Sequence, residues 1–353
     1  MTMDGTVLWQ HGADKPRRVA SCIKMLNALV VVDHADLNDV ITVSQKAEAV
    51  DDGVVGLKAG QKLTVRQLLG VMLVHSANGA AEALASGIGG NEKKYVSMMN
   101  AKAKALGLKN TRAADPHGLS PRGYSTAADL SVIARNLMAN QDLRSIVGQT
   151  HASLPWGTYS TTDRLLGVYP GIEGIKTGYT DPAGYCFVSA AHRNGVELLG
   201  VVLGADEAND RFTQMRRLFD WGFKHTVVRN VVSRNQTMGV VEVSGGTEPT
   251  VAVHASKPLA MTVLDAGSTT TQVSLPPSVH APVHAGQTIG AVQVSSGGKV
   301  VESVALVAAR PVDAVVTPPF SAASGGSQLQ GSGPNLWLRI ASVVAGFGRM
   351  LGI

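Results

Sequence analysis

The sequence predicts an α+β fold in which helices come first and strands follow, closed by a small all-β domain. Three observations carry this. Apolar residues recur at helical spacing in several segments between residues 19 and 140, while from Gly171 the texture changes to short apolar runs broken by turn residues. From Thr226 to Val312 only strand-and-turn patterning remains.

Taken in order, "TVLWQ" (6–10) reads as a short strand leading through a charged loop into a helix opened by "VASCIKML" (19–26), whose apolar run ends at Asp33-His34. "LTVRQLLGVMLVHSANGAAEALA" (63–85) is a second apolar helix, interrupted by the polar stretch His75-Ser76-Ala77-Asn78-Gly79. Helical patterns return in "KKYVSMMNAKAKALGL" (93–108) and "STAADLSVIARNLMAN" (125–140), the latter with Ser125 and Thr126 as candidate N-caps. Three strands follow, "GIEGIKTGYT", "GYCFVSAA" and "VELLGVVLG", the last two joined by the hairpin signal Arg193-Asn194-Gly195. A helix over "NDRFTQMRRLFDWGF" closes this part. The expected division is a main domain over 1–225, a β-rich domain over 226–312, a Pro/Ser/Gly-rich linker over 313–334 and a tail helix over 335–353.

That tail is amphipathic. Leu336, Ile340, Val343, Phe347 and Met350 share one face, and Arg339, Ser342, Gly346 and Arg349 the other. As helix, the stretch between the two arginines covers roughly 14 Å, about half of a hydrocarbon core of roughly 30 Å. The tail is therefore expected to lie flat on an anionic membrane surface rather than to span it.

The net charge of +5 is spread without a Lys/Arg block or an aromatic-plus-basic pattern, which argues against nucleic acid as a partner. Cys22 and Cys186 form neither a disulfide framework nor a metal-ligand spacing, and both are expected as buried thiols. The first twenty residues lack the apolar segment of a secretory signal, so the expectation is a cytoplasmic protein or an incomplete chain.

Three short motifs stand in settings suited to acyl transfer: Ser21-x-x-Lys24 at the head of an apolar helix, Ser76-x-Asn78 in a helix break, and Lys176-Thr177-Gly178 on a strand opening a meander. A serine hydroxyl is a poor nucleophile near neutral pH and needs a neighbour that takes its proton. Residues three apart on a helix share a face, so Lys24 reaches Ser21, and burial beside another cation favours its free amine. Ser76 is placed to relay a proton to a leaving amine, and Asn78 to orient substrate or Lys24. Lys176 and Thr177 offer a cation and a hydroxyl to a carboxylate, and the missing side chain of Gly178 lets a substrate backbone lie close. The backbone N–H groups of Ser21 and Tyr179 supply a candidate oxyanion hole. His75 and His117 flank these segments, with structural roles favoured for both.

With "ALGLKNT", "DPHGL" and "LFDWGF" added, these motifs resemble the low-molecular-mass penicillin-binding serine D-alanyl-D-alanine carboxypeptidases over roughly residues 4–225. The β-rich part resembles the C-terminal domain of that family. The resemblance implies a serine β-lactamase/transpeptidase-like antiparallel sheet covered by helices. It implies Ser21 as acylated nucleophile, Lys24 as general base, Ser76 and Asn78 as the second catalytic element, and Lys176 with Thr177 as the substrate-carboxylate site, Gly178 and Tyr179 adjoining. The implied reaction removes the terminal D-alanine of peptidoglycan pentapeptides, with β-lactams as covalent inhibitors and no metal or organic cofactor. It further implies peripheral attachment, through the tail, to the periplasmic face of the inner membrane. Family chains carry more sequence before the first strand, and commonly a Thr and a Gly where Ile23 and Ala77 stand; an impaired, binding-only protein is the alternative. A class A β-lactamase needs a glutamate between the second and third motifs, and none occurs between Glu92 and Glu173.

Overall fold

The computed structural model describes residues 1–316 apart from 52, 235, 265–268 and 297–298. Most of the expected linker and the whole amphipathic tail, 335–353, lie outside the described residues.

Helix α1 (Lys24–His34) follows a 3-10 turn, Ala20–Ile23, and every residue from Lys24 to Val31 is buried. A helix buried on every side belongs inside a core rather than on its surface, and α3, α4, α5 and α6 all pack against α1. Strands β1 (Val40–Thr42) and β2 (Lys62–Thr64) form a short antiparallel pair, with α2 (Gln45–Asp51) between them in sequence. Thr64 starts α3 (Val65–Leu73) through a capping box with Gln67. The polar interruption seen in the sequence is a real break before α4 (Asn78–Gly89). Asn91 caps α5 (Glu92–Ala105) and Thr126 caps α6 (Ala127–Ala139). Ser125 does not cap; its backbone pairs with Arg17. After α7 (Gln141–Val147) comes the hairpin of β3 (His151–Leu154) and β4 (Gly157–Ser160).

The functional sheet is antiparallel, β5 (Ile172–Thr180), β6 (Gly184–Arg193) and β7 (Val196–Ala205) in that order, so β5 is an edge. Asn194 and Gly195 both have positive φ, as a two-residue type I′ hairpin requires. Helix α8 (Asp210–His225) covers one face, where Phe187, Phe212, Met215 and Phe219 form an aromatic-rich core. The 3-10 turn and the α1 core cover the other.

Residues 6–10 do not form the expected strand. The backbone of Met1 exchanges two hydrogen bonds with Leu199 on β7, and Thr2 bridges Leu198, but Gly5 at φ 101° turns the chain away at once. Val7 and Trp9 are consequently exposed.

The β-rich part comprises β8 (Thr226–Val232), β9 (Thr237–Ser244), β10 (Thr250–Ala255), β11 (Leu259–Leu264), β12 (Thr269–Ser274), β13 (Ser278–His280), β14 (Thr288–Ser296) and β15 (Lys299–Ala308). Six of them make one sheet in the order β12-β14-β15-β10-β9-β13, and β8 pairs with β11. A valine-rich core of its own, including Val251, Val253, Val292 and Val304, holds this part together. Backbone pairing continues two residues past Val312: Ala314 bridges Gly246, and Thr247 N–H donates to Asp313 O. Among the described residues no helix is long and apolar enough to cross a membrane.

Candidate active site

Ser21 sits in the 3-10 turn, one residue before which Ala20 takes φ 45°, a region unfavourable for a side chain bearing Cβ. Tertiary contacts hold it there. A loop carrying Asp115, His117 and Gly118 presses on Ala20 so closely that a Cβ on Gly118 would lie 2.1 Å from Ala20 O. Asp115 rigidifies that loop by accepting from the backbone N–H groups of His117, Gly118 and Ser120. Asn27, one turn along α1 from Lys24, donates to Pro116 O at 2.9 Å and ties the loop to the helix. Burial works against the Asp115 charge, yet His117 and these N–H groups outweigh it and hold the carboxyl well below the usual carboxylate range.

Lys24 is fully buried. Its Nζ donates to Ser21 Oγ at 2.8 Å, Ser76 O at 2.9 Å and Asn78 Oδ1 at 2.6 Å, with Ser76 Oγ at 3.4 Å. Two of these partners are carbonyl oxygens, which only accept. When Lys24 is a neutral amine they fix its two N–H bonds and leave its lone pair for the Ser21 hydroxyl. Burial first, and then the charge of Lys176, hold the Lys24 ammonium well below its ordinary pKa. Ser76, like Ala20, has positive φ, at 69°.

Lys176, also buried, donates from Nζ to Thr177 O at 2.9 Å, and desolvation brings its pKa down to about 8. Thr177 Oγ1 meets Thr162 Oγ1 at 2.6 Å. The structure corrects the expectation for Gly178: a Cβ there would point not into an open cleft but to within 2.9 Å of Val19 O and 3.1 Å of Ser21 N. Glycine is needed so that β5 and the turn bearing Ser21 can touch. This contact brings the peptide after Gly178 beside Ser21. The Tyr179 side chain points away, 46% exposed, stacked on Tyr185 at 4.2 Å and donating to Asp181 Oδ1 at 2.7 Å. Any part it plays at Ser21 falls to its backbone.

His75 donates from Nδ1 to Ser160 O at 2.8 Å and packs on Tyr159. His117 meets Ser21 only through its carbonyl, which receives the Ser21 hydroxyl at a long 3.5 Å. Both cysteines are free and buried, and burial pushes both thiols up, the opposite of the setting that favours a thiolate. Among the described residues no three His, Cys, Asp or Glu side chains converge as metal ligands.

Three contributors escaped the sequence reading. Thr162 reaches Thr177. Arg211, in the first turn of α8, donates from Nη1 to Gly178 O at 3.1 Å and lies over the Tyr185 and Phe212 rings. Asp163 is 5% exposed; burial pushes its carboxyl up to about 6 against the pull of Arg211 and Lys176. None belongs to a motif, since each is delivered by packing of a different element.

A buried amine on a serine hydroxyl, beside an edge strand with a buried lysine, is an arrangement suited to serine acyl transfer on a helix-covered antiparallel sheet. The D-alanyl-D-alanine carboxypeptidase family matches residues 2–207, and the C-terminal domain of penicillin-binding protein 5 matches residues 228–314. The chain belongs to this family of serine peptidases, and its second part is a domain of that C-terminal type. Among relatives, the D-alanyl-D-alanine carboxypeptidase DacF of Bacillus subtilis is 29% identical over 310 residues, covering 84% of this chain and 80% of its own. DacB2 of Mycobacterium tuberculosis is 40% identical over 229 residues, 62% of this chain and 78% of its own. The structure of penicillin-binding protein 5 from Haemophilus influenzae superposes with a TM-score of 0.73 at 26% identity, over 88% of this chain and 94% of that one.

Proposed function

We propose that this chain is an active D-alanyl-D-alanine carboxypeptidase that works through an acyl-enzyme on Ser21. The observation supporting this is the 2.8 Å contact between Ser21 Oγ and a buried Lys24 Nζ. In this reading Lys24 takes the hydroxyl proton as Ser21 Oγ attacks the carbonyl of the penultimate D-alanine. The N–H groups of Ser21 and Tyr179 receive the developing oxyanion. The C–N bond then breaks, Ser76 hands a proton to the departing D-alanine amine, and water later cleaves the ester. Asn78 fixes the Lys24 amine, and Lys176 with Thr177 receives the terminal carboxylate.

That last role has a direct test. A pentapeptide ending in D-Ala-D-Ala should release D-alanine much faster than the same peptide amidated at its terminus, and Lys176→Ala should erase most of the difference. Equal losses on both peptides after Lys176→Ala would remove carboxylate recognition from this lysine.

Attachment to the periplasmic face of the inner membrane through the amphipathic residues 335–353 belongs to the same reading. Vesicles containing anionic lipid should co-sediment the full chain but not a chain ending at Pro334. Equal sedimentation of the two would end the surface-helix idea.

A further inference from the structure

The direction in which a peptide substrate crosses this site follows from β5, given the carboxypeptidase reading on which this inference rests. With the terminal carboxylate at Lys176 and Thr177 and the scissile carbonyl beside Ser21 and Gly178, the residues upstream of the scissile bond run on past Thr180. A narrow pocket opens there, between the nucleophile turn and the loop that presses on it. Ala20, Leu119, Tyr124 and Thr180 line it together with Arg18 and Arg112.

Those two arginines come from distant parts of the chain. Arg17 exchanges backbone hydrogen bonds of 2.8 and 2.9 Å with Ser125, and Tyr124 exchanges bonds of 2.9 and 3.1 Å with Arg112. Three short segments thus lie side by side as a miniature sheet next to Ser21. Arg18 donates from Nε to Pro121 O at 3.0 Å, which fixes the side chain while leaving its outer nitrogens to the solvent. Arg112 holds the miniature sheet through its backbone alone. Neither arginine takes part in any ion pair among the described residues.

The local carboxylates are already engaged. Asp115 is filled by three backbone N–H groups and His117, and Asp181 receives the Tyr179 hydroxyl. Two exposed arginines therefore line the pocket with no ion-pair partner among the described residues, beside Leu119, 50% exposed, and Tyr124, 38% exposed. Such a fork suits a carboxylate carried on an aliphatic chain.

We propose that Arg18 and Arg112 form an anion subsite that recognises a free carboxylate upstream of D-Ala-D-Ala, so that the enzyme selects stem peptides whose upstream carboxyl group is not amidated. Binding there adds a charge-assisted contact without touching the reacting atoms, so it acts on substrate affinity and leaves the chemical step alone.

The test uses two synthetic pentapeptides ending in D-Ala-D-Ala, identical except that the carboxyl groups upstream of the terminal pair are free in one and amidated in the other. The wild-type chain should favour the free form in kcat/KM by about tenfold, mainly through KM. High salt should shrink that preference. Arg112→Gln and the Arg18→Gln/Arg112→Gln pair should reduce it stepwise towards unity, while kcat on the amidated peptide and the rate of penicillin labelling stay at wild-type values. Equal kcat/KM for both peptides with the wild-type chain, or a preference that survives in the double variant, would overturn the subsite alone. Failure of both peptides to release D-alanine would overturn it together with the carboxypeptidase reading.

Discussion

Ser21→Ala should take no covalent label from benzylpenicillin, whereas the wild-type chain should gain the mass of one penicillin on Ser21. A β-lactam presents a strained amide to the same hydroxyl, and the ester it forms is stable enough to weigh. The substitution removes one oxygen from a partly exposed position. Lys24 keeps Ser76 O and Asn78 Oδ1 as acceptors, so the fold should survive with a cost near one hydrogen bond, about 1 kcal/mol. Intact-protein mass spectrometry, with circular dichroism as the control, decides the matter. A wild-type chain that remains unmodified, or a labelled Ser21→Ala variant, would sink the assignment of the nucleophile.

Lys24→Ala should slow acylation at neutral pH by roughly 10² to 10⁴, the range of a lost general base. It should also destabilise the protein, since it leaves a cavity in the α1 core and strips the partner from Asn78 Oδ1 and Ser76 O, about 2–4 kcal/mol in all. The pH profile separates the two effects. In the wild type the amine must be neutral to accept a proton, so the acylation rate should fall as pH drops through the lowered pKa of Lys24. Lys176→Ala removes a cation that disfavours the Lys24 ammonium. Lys24 should then hold its proton to higher pH, moving the acid limb of the acylation rate upward. An acid limb that stays in place would mean that the base is some other group.

The parts of the site readable in the sequence are those whose spacing is local. Ser21 and Lys24 are three residues apart, and Ser76 and Asn78 announce themselves as polar residues splitting an apolar run. The β5–β6–β7 meander is legible because short apolar runs are broken by turn residues, Asp181-Pro182 and Asn194-Gly195 among them. What stayed hidden depends on packing between distant segments. The turn around Ser21 is 3-10 rather than α, with Ala20 at positive φ against the backbone of Gly118, and nothing near Ala20 signals that. Gly178 read as room for a ligand when it is room for Val19 and Ser21. Residues 6–10 alternate like a strand, but a single glycine at position 5 carries them off the sheet edge. Arg211 and Asp163 carry no motif because their neighbours come from other elements.

The partners of Lys24 also bear on when reactivity first appears. Ser21 and Lys24 are neighbours as soon as they leave the ribosome, but Ser76 and Asn78 join from more than 50 residues downstream, and the strand bearing Lys176 from more than 150. Until that strand docks, the lysine is hydrated and protonated at neutral pH, with no lone pair to offer. An unfinished or unfolded chain thus carries its proposed nucleophile in a dormant state. Completion of the tertiary structure arms it.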